Sequence, residues 1–506
     1  MMTDFTFYRT DFKSEPFLKT DLRPDLLHQG LPSGILMSQP KLEQALESLV
    51  QQTKLCEIRR GCTAQAQQLL SNGSIVTYED ASGTVKTIQC SWLVGADGKT
   101  GVVRKYFLEK RAGIKQEAGI FEYKGTWVAA NLHMTLPTPD THPNLPFWKL
   151  EMTPQEVYDL YWPKGWHFCS PPGKPTACGR FGPHSDRLWR HEFEEDPGDD
   201  SKDAEALFWE HITPLMTRTH DSNGNTFPSG PITYPKDCIQ IWRCRPYSFI
   251  HKVVNKWFHK RTILIGDAAH VFPPFGGQGI ASGIRDAHQL AWRLALHLQS
   301  TEMSDSVMEK LLLAWEKERR QSIDDAARLT EANGDLVNNE PSPELLDSSA
   351  AEGEESPFTA IEARGFKPTP EGFYLAQHGG GGKMPQSQVH TSSSTAFLSD
   401  QLLHTHSNTF TIFAVNATEM EGDEGRGSIR NSGIQKNVLD TDSLLHFGEG
   451  EISYKPATGT VQEFFKGRIP ASTKFVVVRP DWYIYACAKD TKGLEVVLSK
   501  LKAQMQ

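Results

Sequence analysis

The chain lacks any run near the roughly 20 consecutive apolar residues that a membrane-spanning helix needs, and its amino terminus has no basic region followed by an apolar one. It also lacks a basic surplus: 53 Lys plus Arg stand against 62 Asp plus Glu, a net charge of −9, which removes the electrostatic footprint of a nucleic-acid binder. Cysteine is sparse. The eight cysteines, among them Cys56, Cys62, Cys169 and Cys244, form no CxxC and no pairing with metal-ligand spacing. A disulfide framework and a sequence-encoded zinc site are therefore not expected, and isolated thiols in a reducing cytoplasm are. No internal repeat is present, and no glycine occurs before Gly30. What remains is a 506-residue chain with 38% hydrophobic residues, enough for two or three domains with sizeable cores.

The richest stretch is 263–294, ILIGDAAHVFPPFGGQGIASGIRDAHQLAWRL. Ile263, Leu264 and Ile265 read as a short buried strand that ends at Gly266, which places Asp267 at a strand's carboxyl end, where open α/β sheets hold ligands. Pro273 and Pro274 stiffen the following loop, and Gly276, Gly277 and Gly279 strip it of side chains, so a flat or anionic ligand can approach the backbone. A helix is expected from about Ile280, with Ile284, Ala287, Leu290, Ala291, Leu294 and Leu298 on its apolar face. Its free N–H groups and roughly half a positive charge point back at the loop. Residues 92–104, WLVGADGKTGVVR, repeat the plan: an apolar strand, a tight turn carrying Asp97, and Arg104 at fixed distance.

The 263–294 stretch resembles the second FAD signature of the class A flavoprotein aromatic hydroxylases, the family of para-hydroxybenzoate and phenol hydroxylases. The match runs on through Arg285, Asp286, Leu290 and Trp292, with Gln289 where the family often has Asn. The resemblance implies that Asp267 bonds the ribityl chain of FAD. It lays Pro274, Gly276, Gly277, Gln278, Gly279 and Ile280 along the flavin ring, with the helix amino end stabilising negative charge there. Segment 92–104 is similar to the family's GADGxxSxVR motif, which implies an FAD and NAD(P)H role for Asp97 and Arg104. Gly101 replaces the usual serine, which predicts a less well capped helix start. Gln39, Pro40, Leu42 and Glu43 resemble the family's QPxLE segment, which puts Gln39 near the flavin; a plain helix start is an equally simple reading. The family's opening GxGxxG strand and helix are not found. Two explanations stand, an upstream exon missing from the gene model, which is the favoured one, or a natural truncation.

The implied fold is α/β plus α+β: an amino-terminally incomplete FAD/NAD(P)-binding domain of the para-hydroxybenzoate hydroxylase type, an antiparallel-sheet substrate domain and a thioredoxin-like carboxyl-terminal domain. Expected boundaries are 1–114 and 256–337 for the two parts of the FAD domain, 115–255 for the substrate domain, 338–375 for a Ser/Glu/Pro-rich linker and 376–506 for the last domain. WHFCS, ACGRF, RLWRHEF and CIQIWRC alternate as sheet strands do. The aromatic-rich segment that includes Trp127, Phe147, Trp148, Tyr158, Tyr161, Trp162, Trp166 and Phe168 would suit a planar substrate, although core packing is the simpler role for each. Tyr161, His167 and Arg180 are polar groups in this region, with structural roles favoured; Arg245 and Tyr247 suit pocket or sheet-edge support, and Tyr8 and Arg9 are weaker lid candidates. Trp315 stands where the family's LLxxYExER helix commonly has tyrosine. The carboxyl-terminal domain lacks CxxC, so its expected role is packing or contact in a homodimer.

The resemblance implies a monooxygenase. NAD(P)H reduces FAD, O₂ is activated, and one oxygen atom enters a phenolic or polyketide-type aromatic, with secondary metabolism the expected setting. No catalytic base and no metal site are identifiable. The alternative is a catalytically silent homologue that acts as partner or scaffold; a ring-opening or Baeyer-Villiger oxygenation shares the cofactor and differs in product.

Overall fold

The computed structural model describes residues 4–21, 36–170, 173–195, 203–300, 303–338, 365–386, 388–391, 396–400, 410–415, 454–456, 465 and 468–505. Most of the expected 338–375 linker, residues 339–364, lies outside them.

A seven-stranded sheet dominates the middle of the chain. Its order in space is Ile239–Ile250, Lys124–Met134, Leu188–Glu195, Thr176–Phe181, Trp166–Cys169, Asp4–Phe7 and Leu18–Asp21. The four segments read as strands from alternation all lie in it. Residues 4–21, grouped by sequence with the FAD domain, belong to this sheet instead. Phe5, Thr6 and Phe7 pair in parallel with Trp166, His167 and Phe168, and the Phe7 ring stacks on Phe168 at 4.8 Å. Alternation buries one face of the central strands: Val128, Ala130, Leu132, Trp189 and Phe193 pack under helices Pro154–Tyr161 and Ala204–Leu215. Phe147, Tyr158, Tyr161 and Trp162 belong to this core, which accounts for much of the aromatic richness.

The opposite face meets the remainder of the chain. There, Leu93–Gly95 pairs in parallel with Thr262–Leu264, so the two sequence motifs begin side by side at the carboxyl ends of adjacent parallel strands. An antiparallel meander (Thr63–Leu70, Gly73–Glu79, Val85–Cys90) is joined to this pair by a bond of 2.6 Å from Gln67 Nε2 to Thr262 Oγ1. Helices Gln278–Gln299 and Asp305–Asn338 cross the other side.

The described part of the last domain holds an antiparallel sheet of Thr411–Ala414, Phe475–Val478 and Ile484–Ala488, a second small sheet of Phe397–Leu398, Gln388–Thr391 and Tyr454–Pro456, and the closing helix Thr491–Gln504. It is locked to the helix pair by a fully buried charge cluster. Arg479 donates to Glu318 through Nη1 and Nη2 at 2.8 and 2.9 Å, and through Nε to Asp481 at 2.9 Å. Arg293 joins Glu318 at 2.9 Å, and Trp292 Nε1 donates to Asp481 at 3.0 Å. Two cations face two anions, so the buried group is neutral overall.

Candidate flavin and substrate site

The Gly266 turn follows directly from strand Thr262–Leu264. Gly266 has φ +58°, and its N–H donates 2.9 Å to Asp286, about two helical turns inside Gln278–Gln299. That carboxylate also receives His270 Nε2 at 2.7 Å and Arg319 Nε at 2.8 Å, all three side chains being fully buried. Desolvation pushes the Asp286 carboxyl up, and the charges and bonds of His270 and Arg319 more than offset it, leaving it below its ordinary value. The strand-to-helix turn is thus pinned from behind, and Asp267 projects the other way, accepting no hydrogen bond from the described residues. Partial desolvation draws its pKa upward, against the charges of His270 and Lys99.

The glycine loop is held at two points. Phe275 enters the face of the large sheet, edge-on to Trp127 at 5.4 Å and to Tyr123 at 5.8 Å. Gly276 has φ +91°, and a Cβ there would lie 2.9 Å from Asn333 Nδ2. Gly277, at φ +63°, precedes the helix without capping it by a side chain, so the first turn presents its N–H groups to the cleft. The helix begins at Gln278, two residues before the sequence expectation. Its burial also departs from that expectation. Ser282, Asp286, Gln289 and Arg293 form the inward stripe, while Ile280 and Ile284 are 57% and 53% exposed and, with Ala287, line the cleft. Leu290, Trp292 and Leu296 are buried beside that stripe, so polar partners on helix Asp305–Asn338 and apolar packing together set this orientation.

Gln39, Asp267, Pro274, Gly277, Gln278, Gly279 and Ile280 come together on one cleft of about 870 Å³. Gly276 supports the loop from behind. Asp97 turns away: its carboxylate accepts the Val103 N–H at 2.9 Å, and the turn reaches the cleft through Ala96 and Lys99. This corrects the expected weak helix start. A Cβ at Gly101 would fall 2.2 Å from Asp97 Oδ1, so the missing serine makes room for Asp97 to take over the capping bond. Arg104 is buried, with Nη2 donating to the Lys99 carbonyl at 2.7 Å.

Through Gln39, Arg190, Tyr247, Phe249 and Asp267 the cleft continues into a second cavity of about 830 Å³ beneath the large sheet. Sequence reasoning missed most of its wall, because the wall is made by register. Arg243 pairs with Asn131, Asn131 with Arg190, Arg190 with Gly179 and Gly179 with Trp166, giving one row across five strands. Arg190 Nη1 donates to Asn131 Oδ1 at 2.7 Å, and its Nε donates to Glu192 at 2.6 Å. Arg243 lies over the Tyr247 ring at 5.3 Å, and among the described residues no carboxylate pairs with it. A Cβ at Gly179 would strike Trp166 at 2.8 Å, so the glycine lets that indole lie against the sheet. Period-two spacing of Arg190 and Glu192 within RLWRHEF was the one available signal.

Other sequence candidates lie elsewhere. Tyr161 donates to the Ile232 carbonyl at 2.6 Å inside the core, Arg180 Nε to the Trp162 carbonyl at 2.7 Å, and His167 is buried beside Tyr8. Arg9 rests on the Phe17 ring at 5.5 Å, and Arg245 does not line either cavity.

An unpartnered carboxylate, an uncapped helix terminus and an apolar Ile280/Ile284 stripe on one cleft fit a ligand with a hydroxyl-bearing arm, an anionic edge and a broad flat ring. FAD has all three. The comparisons agree. The model of the FAD binding domain family matches residues 6–330. A probable NADH-specific resorcinol 4-hydroxylase of Rhodococcus jostii (strain RHA1) is 26% identical over 485 residues, 94% of this chain and 77% of that protein. A 3-(3-hydroxy-phenyl)propionate/3-hydroxycinnamic acid hydroxylase of Comamonas testosteroni is 25% identical over 304 residues, 59% of this chain and only 41% of that protein. Among solved structures, aklavinone-11 hydroxylase with FAD and aklavinone superimposes with a TM-score of 0.65 at 16% identity, over 99% of this chain and 85% of that one. The flavin-dependent monooxygenase PieE with FAD and substrate gives 0.66 at 18%, over 99% and 87%. The chain therefore belongs to the FAD binding domain family and has the fold of the class A FAD-dependent aromatic hydroxylases.

Proposed function

We propose that this chain binds FAD in the Asp267 cleft and hydroxylates a phenolic or polyketide-type aromatic held in the adjoining cavity, with NAD(P)H and O₂ as cosubstrates. The observation that carries the reading is the continuity of the two spaces through Gln39, Arg190, Tyr247, Phe249 and Asp267. When bound, FAD supplies the activation of O₂ once NAD(P)H has reduced it. Asp267 is positioned for the hydroxyl-bearing arm, and the first turn of Gln278–Gln299 for negative charge on the ring edge. Trp166 and Phe181 wall the second cavity with aromatic surface.

Arg190 and Arg243 flank that cavity with positive charge, and only Arg190 is neutralised by a neighbouring acid, Glu192. Such a field favours the ionised form of a phenol and thereby raises its electron density for oxygen insertion. The substrate this suits is an acidic phenol, such as one with a second hydroxyl or a conjugated carbonyl. Phe275 packs against Trp127 and Phe168 of the large sheet and so anchors the glycine loop to the sheet that walls the second cavity.

Substrate-stimulated NAD(P)H oxidation coupled to a product heavier by one oxygen atom tests the reading. Oxidation across a broad phenol panel that yields only peroxide would oppose it. A second reading, a silent partner protein, draws on helix Gln39–Thr53, which buries no residue and shows Leu46 and Leu49 at 50% and 59% exposure. It predicts purified protein that takes up no flavin.

A further inference from the structure

The far end of the large sheet carries a cluster that the flavin chemistry does not use. Strand Lys124–Met134 leaves the sheet into a loop bearing His142, and the short turn Lys236–Cys238 leads into the neighbouring strand Ile239–Ile250. The two segments are tied together by backbone: Ile239 is in register with Met134, and Thr135 N–H donates to the Cys238 carbonyl at 2.8 Å. This closure brings His142 to the adjacent pair Asp237 and Cys238, 95 and 96 residues on in sequence. His142 Nε2 lies 3.2 Å from both Asp237 carboxylate oxygens and 3.9 Å from Cys238 Sγ, and all the donor atoms lie within 4.8 Å of one another.

We propose that His142, Asp237 and Cys238 form a binding site for a zinc-class divalent cation. Tetrahedral coordination with ordinary zinc bond lengths sets ligand separations of about 3.3 Å for nitrogen to oxygen and about 3.6 Å for nitrogen to sulfur. The observed 3.2 and 3.9 Å lie within about 0.3 Å of those separations before any ion draws the groups in. The imidazole is also oriented from behind. His142 Nδ1 lies 2.9 Å from Thr141 Oγ1, a hydroxyl fixed by the Thr138 N–H at 3.0 Å. With the proton on Nδ1, the Nε2 lone pair faces the carboxylate and the sulfur, an arrangement that is repulsive unless a cation lies between them. Burial differs in a useful way: Cys238 is 3% exposed and the Asp237 side chain 77%, so sulfur forms the floor and solvent supplies a fourth ligand. On binding, the Cys238 thiol releases its proton to solvent and the metal–thiolate bond forms, with no redox change.

The site sits by residue 239, whereas the cavity wall on this strand begins at Arg243, roughly 14 Å along at about 3.4 Å per residue. A cation there would brace the 135–145 loop against the sheet end and take no part in oxygen chemistry, and the inference stands or falls independently of the flavin reading.

The test uses the whole purified chain, stripped with a chelator and titrated with Co²⁺ under reducing conditions. The expected result is one equivalent bound with tetrahedral d–d absorption and a thiolate-to-cobalt charge-transfer band, displaced by Zn²⁺. Cys238→Ser should remove the charge-transfer band and weaken binding on the order of 100-fold, and Asp237→Asn by about tenfold or more. Because Asp237 is on the surface, its substitution leaves the fold intact even if Cys238→Ser does not. Absence of Co²⁺ binding, which an imidazolium–carboxylate pair in place of the site would give, overturns the proposal. So does a thiolate band that survives both substitutions.

Discussion

Replacing Asp286 by alanine probes the linkage between the buried network and the flavin turn. In the native protein its carboxylate receives Gly266 N–H at 2.9 Å, His270 at 2.7 Å and Arg319 at 2.8 Å, with no solvent access. Asp286→Ala removes the carboxylate that faces the buried Arg319 guanidinium, a cost of about 3–5 kcal/mol for half of a buried pair. It also removes the acceptor of the Gly266 N–H, worth roughly 1–3 kcal/mol. These terms overlap, so on the order of 4–6 kcal/mol is expected, or roughly 8–24 °C in Tm for a cooperative unit of about 150–250 residues. Asp286→Asn keeps an oxygen for Gly266 while losing the charge, and should cost about 1.5–3 kcal/mol. Near-ultraviolet circular dichroism melts, paired with FAD titration, separate loss of fold from loss of site. Because the Asp286 pKa is held down in the fold, its contribution is complete above the unfolded value near 3.9 and fades as pH falls through the native one. An alanine variant that melts with the native protein and binds FAD equally well would refute the reasoning.

Arg479→Met leaves Glu318 and Asp481 with Arg293 as their one remaining buried cation; we expect a loss of about 3–5 kcal/mol. The loss should be larger at pH 8 than at pH 5, since an unpaired buried carboxylate can protonate; a pH-independent melt would contradict this. Arg243→Gln should raise KM for an ionisable phenol about tenfold while leaving FAD affinity unchanged, as steady-state kinetics and flavin titration together would read. His251, stacked on Phe121 at 4.4 Å, is pushed down to about 4 by burial and by the charge of His270. Stability is therefore complete above pH 6.5 and falls as pH drops from there towards 4, and His251→Phe should flatten that fall by up to about 3 kcal/mol in pH-resolved denaturation. Gly276→Ala, at φ +91° and 2.9 Å from Asn333, should weaken FAD binding more than Gly266→Ala, at φ +58° with no atom nearer than 3.9 Å.

Local chemistry made the flavin side legible. Gly266–Asp267 and Ala96–Asp97 sit at strand ends because apolar triplets meet tight turns, and Gly276 and Gly277 stand where positive φ is required. The Gln278–Gln299 helix was readable, and its orientation in part, since Leu290 is buried as expected. Periodicity assigns Ile284 and Leu298 to the core, whereas Asp286, Gln289 and Arg293 occupy it because Arg319 and Glu318 wait on a distant helix. The substrate wall was hidden for a related reason. Arg243, Asn131, Arg190 and Trp166 converge only through strand register across four pairings. The same holds for Asp4–Phe7, whose partner strand lies about 160 positions on and whose alternation alone does not say which sheet it joins. Cysteine spacing likewise concealed the approach of Cys238 to His142.

The most direct test of the account is an FAD titration of the whole 506-residue chain and its Asp267→Ala variant, followed by flavin fluorescence and visible absorption. The account predicts saturable binding with a structured visible spectrum, and a variant weakened by about tenfold or more through loss of a charge-assisted hydrogen bond. A folded chain that takes up no FAD, or one whose affinity ignores Asp267, would contradict it.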